Sequence, residues 1–408
     1  MKKSAFKLLV GILAMSMVLT ACGAPSPAAT TAPGATQAPA STGGTILIGG
    51  SLCLTGIQAP LDEPANRGAQ LAVDYLNSQG GVLGKKLQFV NLDGKSDPVT
   101  VGNNGVQLVQ QGVAAIVAPS DFDFGGPASR EAQKAGIVGI SPAASSPLYG
   151  SAALGDKQFT MSMWNTTMGA AAAEYAYNVK GWRSVYVVTD TFIDYTKSLS
   201  RYFIVAFKHL GGDVIFEDKY TQGDQDFSAQ LARLKASTKK PDFVYISSYM
   251  PDLATMIRTI REAGLNYPVF GGDSYDDPGL FSALGTQFGS DVYFVTHSFI
   301  ASGVTPDMDK FMQLYKAKYG KDVDTLWVAT GWDVIMILAQ AMQKAGSTDG
   351  AAMAKAMEST EFNLLTGKLK WSDAASGHQP DIEAPIVQLV GGTPKFIGWF
   401  RPAYLPPA

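Results

Sequence analysis

From residue 46 to residue 399, short apolar runs suited to strands alternate with longer stretches whose apolar residues recur at helical spacing. Residues 46–48, 87–93, 114–118 and 138–140 read as strands. Between them Ala69, Ala72, Val73 and Leu76 mark a helix stopped by Gln79-Gly80-Gly81, and further helices are expected around 101–111 and 130–135. The pattern then restarts, with strands expected at 184–189, 214–220, 242–247, 269–271 and 292–296. Helices at 227–236 and 252–263 keep Leu231, Leu234, Met256, Ile257 and Ile260 in period. Two more helices, 307–319 and 328–344, precede short strands at 367–371, 386–390 and 395–399. Nearly continuous apolar strands joined by amphipathic helices belong to parallel sheets covered on both faces. Two successive sets of similar length predict an α/β protein of two doubly wound parallel-sheet lobes. Small ligands bind in the cleft between such lobes.

The start of the chain has a different character. Lys2, Lys3 and Lys7 precede an uncharged apolar core at 8–18, and Leu19-Thr20-Ala21-Cys22 follows. That is the layout of a secretory signal, with a core too short to span a bilayer. The Leu-Thr-Ala-Cys step resembles a bacterial lipobox, which implies that Cys22 is the lipidated first residue of the mature chain. An ordinary secretory signal with Cys22 there by chance is the other reading. Residues 23–44 are Ala, Pro, Thr, Ser and Gly with one Gln and no charge, a composition that cannot bury a core and behaves as a tether. Without the three leader lysines the chain carries 29 basic and 35 acidic residues, a net charge near −6. A mildly acidic chain with no basic run is a poor nucleic-acid binder. With Cys22 modified only Cys53 remains, so no internal disulfide can form.

Catalytic signatures are missing from the pattern. His209, His297 and His378 lie far apart, and each reads as a surface or core residue rather than a metal ligand. There is no nucleophile elbow, phosphate-binding loop or zincin motif. Cys53 has no base near it in sequence and reads as a small buried residue. The residues nominate no catalyst, no metal and no cofactor.

Several loops at expected strand ends carry a resemblance. Thr55-Gly56, Gly68-Ala69 and Asn77-Ser78-Gln79-Gly80-Gly81-Val82-Leu83-Gly84 resemble the branched-chain amino-acid (Leu/Ile/Val) binding proteins of ABC importers. So do Asp93 with Asp97-Pro98, Ile140-Ser141-Pro142-Ala143-Ala144-Ser145-Ser146-Pro147, Asp226-Phe227-Ser228 and Asp242-Phe243-Val244. The pieces run in order over essentially the whole mature body. The resemblance implies a type I solute-binding fold joined by a multi-strand hinge, with a signal peptide at 1–21 and a lipidated Cys and linker at 22–44. Lobe 1 is then 45–163 plus 297–380, and lobe 2 is 164–296 plus 381–408, with crossings near Met163, Thr296 and Asp381.

The same resemblance implies the site. Ala143 and Ser145, in the loop after the fourth strand, would hold a carboxylate, although Ser145 also fits the cap of a turn. Asp273 would meet an ammonium group, although it also fits a solvated loop acid. Tyr195, Tyr249 and Trp327 would offer aromatic faces to that cation, or pack in the core. Leu61 and Phe122 complete the expected contacts. Phe122 falls, in an ungapped reading, where a hydroxyl is expected; Ser120 would replace it only in a rearranged loop. Asp121 and Asp123 flank Phe122, and Met161-Ser162-Met163-Trp164 stands where an Arg is common. These departures fit an amino acid less closely and leave room for a sugar or polyol, a polyamine or an aromatic compound. The implied function is a non-enzymatic, extracytoplasmic lipoprotein, a monomer, that captures a small ligand and delivers it to an ABC permease. A ligand sensor for a membrane receptor is the other role of such a fold.

Overall fold

The computed structural model describes residues 43–408. The signal peptide, Cys22 and the linker up to position 42 lie outside the described residues. The first sheet holds β1 (Thr45–Gly50), β2 (Lys86–Asn91), β3 (Ala115–Val117), β4 (Val138–Ser141) and β5 (Gln158–Thr160). They are parallel, in the order β2-β1-β3-β4-β5. The second sheet begins with β6 (Ser184–Asp190), β7 (Asp213–Tyr220), β8 (Phe243–Ser247), β9 (Val269–Gly271) and β10 (Val292–Val295). Its order, β7-β6-β8-β9-β10, repeats that of the first sheet, again with parallel pairing. In each sheet the order reverses beside the first strand, so each presents a crevice at the carboxyl ends of its strands.

Every residue of β3, β4, β6 and β8 is buried, which is why these runs read as continuously apolar. The short β5 escaped the sequence reading because its Gln158-Phe159-Thr160 has only one apolar residue. Near the C-terminus β11 (Phe362–Leu364), β12 (Gly367–Trp371) and β13 (Pro380–Asp381) form a small antiparallel sheet. The hairpin β14 (Ala384–Val390) and β15 (Thr393–Phe400) then extends the second sheet antiparallel to β10. The Nε1–H of Trp371 donates to the Thr160 carbonyl at 2.7 Å, tying the small sheet to β5.

Two helix contacts link these parts. Helix Asn165–Glu174, which follows β5, is buried all round and so showed no amphipathic stripe; it packs on helix Asp194–His209 beside the second sheet. Helix Trp327–Ala345, reached after β10, packs on helix Ala59–Ser78 of the first lobe. Their approach is close: a Cβ on Gly331 would lie 1.8 Å from the Ala65 carbonyl oxygen, and one on Gly68 would lie 1.9 Å from that of Val328. The helix expected around 130–135 starts earlier, at Phe122, and runs to Lys134. That shift decides which residue of the loop after β3 faces the cleft.

Candidate functional site

The loops after β1, β3 and β4 lie side by side, braced by their own polar groups. Asp62, fully buried on helix Ala59–Ser78, accepts from Cys53 N at 2.8 Å, Ser120 N at 3.0 Å and Ser120 Oγ at 2.5 Å. Burial pushes its carboxyl up to about 6, against these three donors. The Ser120 hydroxyl is thereby committed to the scaffold. Ser141 Oγ donates to the Pro119 carbonyl at 2.8 Å and accepts from the amides of Ala143 (3.3 Å) and Ala144 (3.0 Å). The Ala143 amide, expected to help hold a ligand carboxylate, is thus spent on the turn together with that of Ala144. Ser145 Oγ, by contrast, is buried without a hydrogen-bond partner.

Asp121 is the N-cap residue of helix Phe122–Lys134, with extended backbone (φ −124°, ψ 153°), yet its carboxylate makes no cap bond. It turns to the other lobe, where Tyr249 Oη donates to Asp121 Oδ2 at 2.7 Å. Burial pushes Asp121 up to about 7; the tyrosine works against this, and the charges of Asp273 and Asp123 add to it. Gln58, fully buried, lies beside the same carboxylate and its side-chain amide also works against the rise, although neither amide atom makes a hydrogen bond of ordinary geometry. Asp123 Oδ2 accepts from Asp194 N at 2.9 Å, and Ser146 Oγ donates to the Asp194 carboxylate. These bonds join loops of the two sheets, so the lobes are closed on one another.

The second lobe contributes strand ends. Asp273 follows β9 and is buried, its Oδ2 2.7 Å from His297 Nε2. A carboxylate only accepts, so Nε2 carries the hydrogen and Nδ1 is left buried without a partner. Trp327 stands edge-on to His297 at 5.6 Å between ring centroids. Tyr195, at the start of helix Asp194–His209, stacks at a tilt on Tyr249 with 5.1 Å between centroids and reaches Ser274 Oγ at 3.2 Å. Burial, with the Asp273 charge, raises the Tyr195 hydroxyl well above its ordinary range, keeping it a donor. Asn165 closes the ring: its amide N donates to the Ser145 carbonyl at 2.6 Å and its Nδ2 to the Tyr195 carbonyl at 3.0 Å.

The structure therefore brings Asp273, Tyr195, Tyr249, Trp327 and the Ala143–Ser145 loop to one buried junction, with Leu61 in the adjoining core. Phe122 goes elsewhere. Its half-buried ring sits 5.7 Å from the Arg130 guanidinium and against the outer core of the first lobe, because the residue one place earlier caps the helix and faces the cleft. His297 was passed over in the sequence as a lone histidine. Its place directly after β10, where Asp273 follows β9 and Tyr249 follows β8, was the available signal. His378 is a brace, bonding the Gln158 carbonyl at 3.0 Å and Glu358 at 2.9 Å, and His209 stacks on Tyr404. Burial holds the Cys53 thiol protonated and unreactive. Among the described residues no group of His, Cys, Asp and Glu could hold a metal, and no helix is long and apolar enough to cross a membrane.

A family model described as periplasmic binding protein matches residues 45–393. A Leu/Ile/Val-binding protein of Rhizobium johnstonii is 28% identical over 323 residues, 78% of this chain and 85% of that protein. Among solved structures, a leucine-binding protein LivK of Thermotoga maritima is 28% identical with a TM-score of 0.79, covering 88% of this chain and 99% of that one. The branched-chain amino acid transporter substrate-binding protein LivJ of Streptococcus pneumoniae, in complex with isoleucine, is 25% identical. Its TM-score is also 0.79, with 88% and 100% covered.

Proposed function

Because this chain belongs to the periplasmic binding protein family, we propose that Asp273, Tyr195, Tyr249 and Trp327 receive the ammonium group of a small solute. The protein is an extracytoplasmic solute-binding component of an ABC importer, not an enzyme. Its solute is an amino acid or an amino-acid-like compound. The names of the Leu/Ile/Val-binding and leucine-binding relatives support that class. The observation that carries the reading is Asp273, a buried acid in a junction of aromatic faces that also holds the partnerless hydroxyl of Ser145. A cation over such faces gains ~0.5–2 kcal/mol per contact. His297 orients the Asp273 carboxylate, and Ser145 Oγ meets a polar group elsewhere on the solute.

Capture proceeds by closure of lobe 1 (45–163 plus 297–380) on lobe 2 (164–296 plus 381–408), about crossings near Met163, Thr296 and Asp381. The Tyr249–Asp121 and Asp194–Asp123 bonds favour the closed form. Lipidated Cys22 and the linker behind it hold one copy, a monomer, at the membrane beside the permease and raise its local concentration there. Calorimetry on refolded, ligand-stripped protein tests the site with leucine, isoleucine, valine, arginine and putrescine. Asp273→Asn is expected to keep the fold and to weaken the best of these by at least tenfold. Equal affinity of variant and wild type would remove Asp273 from the site.

A further inference from the structure

The closed junction gathers acids without a lysine or arginine among the described residues to pair with them. Asp121 and Asp273 are buried there with Asp276 half-buried beside them, and among the described residues no lysine or arginine pairs with any of the three. Asp273 has His297, Asp276 has the Thr296 hydroxyl at 2.8 Å, and Asp121 has the Tyr249 hydroxyl. A buried carboxylate with so few donors is costly unless a cation joins it or a proton binds.

The groups that would welcome an anion are already engaged. Ser120 N and Oγ serve Asp62, and the amides of Ala143 and Ala144 serve Ser141. Beside Asp121 the fully buried side-chain amide of Gln58 leans on that carboxylate without a hydrogen bond of ordinary geometry, and its Oε1 is left open to a ligand. A free carboxylate entering the first-lobe side would meet the Asp121 charge with Ser145 Oγ as its only partnerless hydroxyl in that loop.

Building on the proposed amine site, we propose that Asp121 is a second cation-recognition residue. Within the amino-acid-like class, the preferred solute is then an ammonium compound whose carboxylate is absent or outweighed by positive charge. One acid from each lobe, Asp121 and Asp273, grips the cation, and Gln58 Oε1 accepts a further N–H. Closure over a neutral zwitterion leaves Asp121 uncompensated; closure over a net cation does not.

Matched pairs that differ only in the carboxylate test this: leucine against isoamylamine, lysine against cadaverine, and arginine against agmatine. Each is titrated calorimetrically at pH 8 into stripped wild-type protein and into Asp121→Asn. The decarboxylated member of at least one pair is expected to bind at least tenfold tighter to the wild type, and Asp121→Asn to cut that ratio at least tenfold. Should the asparagine variant not fold, Asp121→Ser is measured in its place. Tighter binding of the amino acid in every pair, or a ratio that the substitution leaves unchanged, overturns the role of Asp121 while leaving the amine site at Asp273 standing. Binding of neutral sugars and of no amine at all would overturn both.

Discussion

Tyr249→Phe isolates the bond that most directly joins the two lobes. The phenolic oxygen donates to Asp121 Oδ2 at 2.7 Å, and both residues are at most 5% exposed, so solvent screens the pair little. Phenylalanine keeps the ring and its 5.1 Å contact with Tyr195 and removes only the donor. A hydrogen bond to a charged group contributes about 1.5–3 kcal/mol, and the carboxylate left behind has no replacement donor from Ser120. At 1.4 kcal/mol per tenfold change, the closed form should lose about a factor of 10 to 150 against the open one. Affinity, which requires closure, should fall by a similar factor. The assay is calorimetry on a double-mutant cycle with Asp121→Leu, which removes the acceptor. Both substitutions act on one bond, so their effects should fall well short of multiplying. If Tyr249→Phe weakens binding by the same factor in the Asp121→Leu background as in the wild type, the bond plays no part in closure.

Further outcomes are expected from packing and protonation. Gly331→Ala places a methyl 1.8 Å from the Ala65 carbonyl oxygen, and backbone cannot step aside as a side chain does. Overpacking of this kind costs about 1–3 kcal/mol or more, so a scanning calorimeter should show a midpoint several degrees lower; an unchanged midpoint would contradict the close helix contact. Burial raises Asp62 to about 6, and Asp121, Asp276 and Asp333 to about 7. Between pH ~4 and ~7 the folded chain therefore holds protons that the unfolded chain has released, and stability must fall as pH rises through that window. Thermal midpoints should be higher at pH 5 than at pH 8, and a midpoint that rises over that range would contradict the burial of these acids.

The α/β class and most strands could be read from the chain because buried parallel strands are apolar runs whatever surrounds them. Elements buried on every side could not. Helix Asn165–Glu174, with Ala170 to Ala173 all buried, has no polar face to set its period. At the junction, the places of Asp273, Tyr249 and Tyr195 could be read because they sit at or near strand ends that the pattern fixes. Phe122 was misplaced by a single position: only the helix start shows that Asp121 turns into the cleft while Phe122 turns back to Arg130. The engagement of the Ala143 and Ala144 amides by Ser141 depends on a turn geometry that no residue pattern displays.

Everything proposed for the junction depends on its closing over a small amine. Its most direct test is a thermal-shift screen of chain from Gly43 onward, unfolded and refolded to strip carried ligand. The panel holds aliphatic, aromatic and basic amino acids, polyamines and simple sugars. A ligand at a hundred times its dissociation constant stabilises the folded state by about 2.7 kcal/mol, enough to raise the midpoint by a few degrees. Such a rise is expected with an amine-bearing compound and is expected to be lost in Asp273→Asn. A rise with sugars alone, or one that survives the loss of the Asp273 carboxylate, would contradict closure over an amine at this acid.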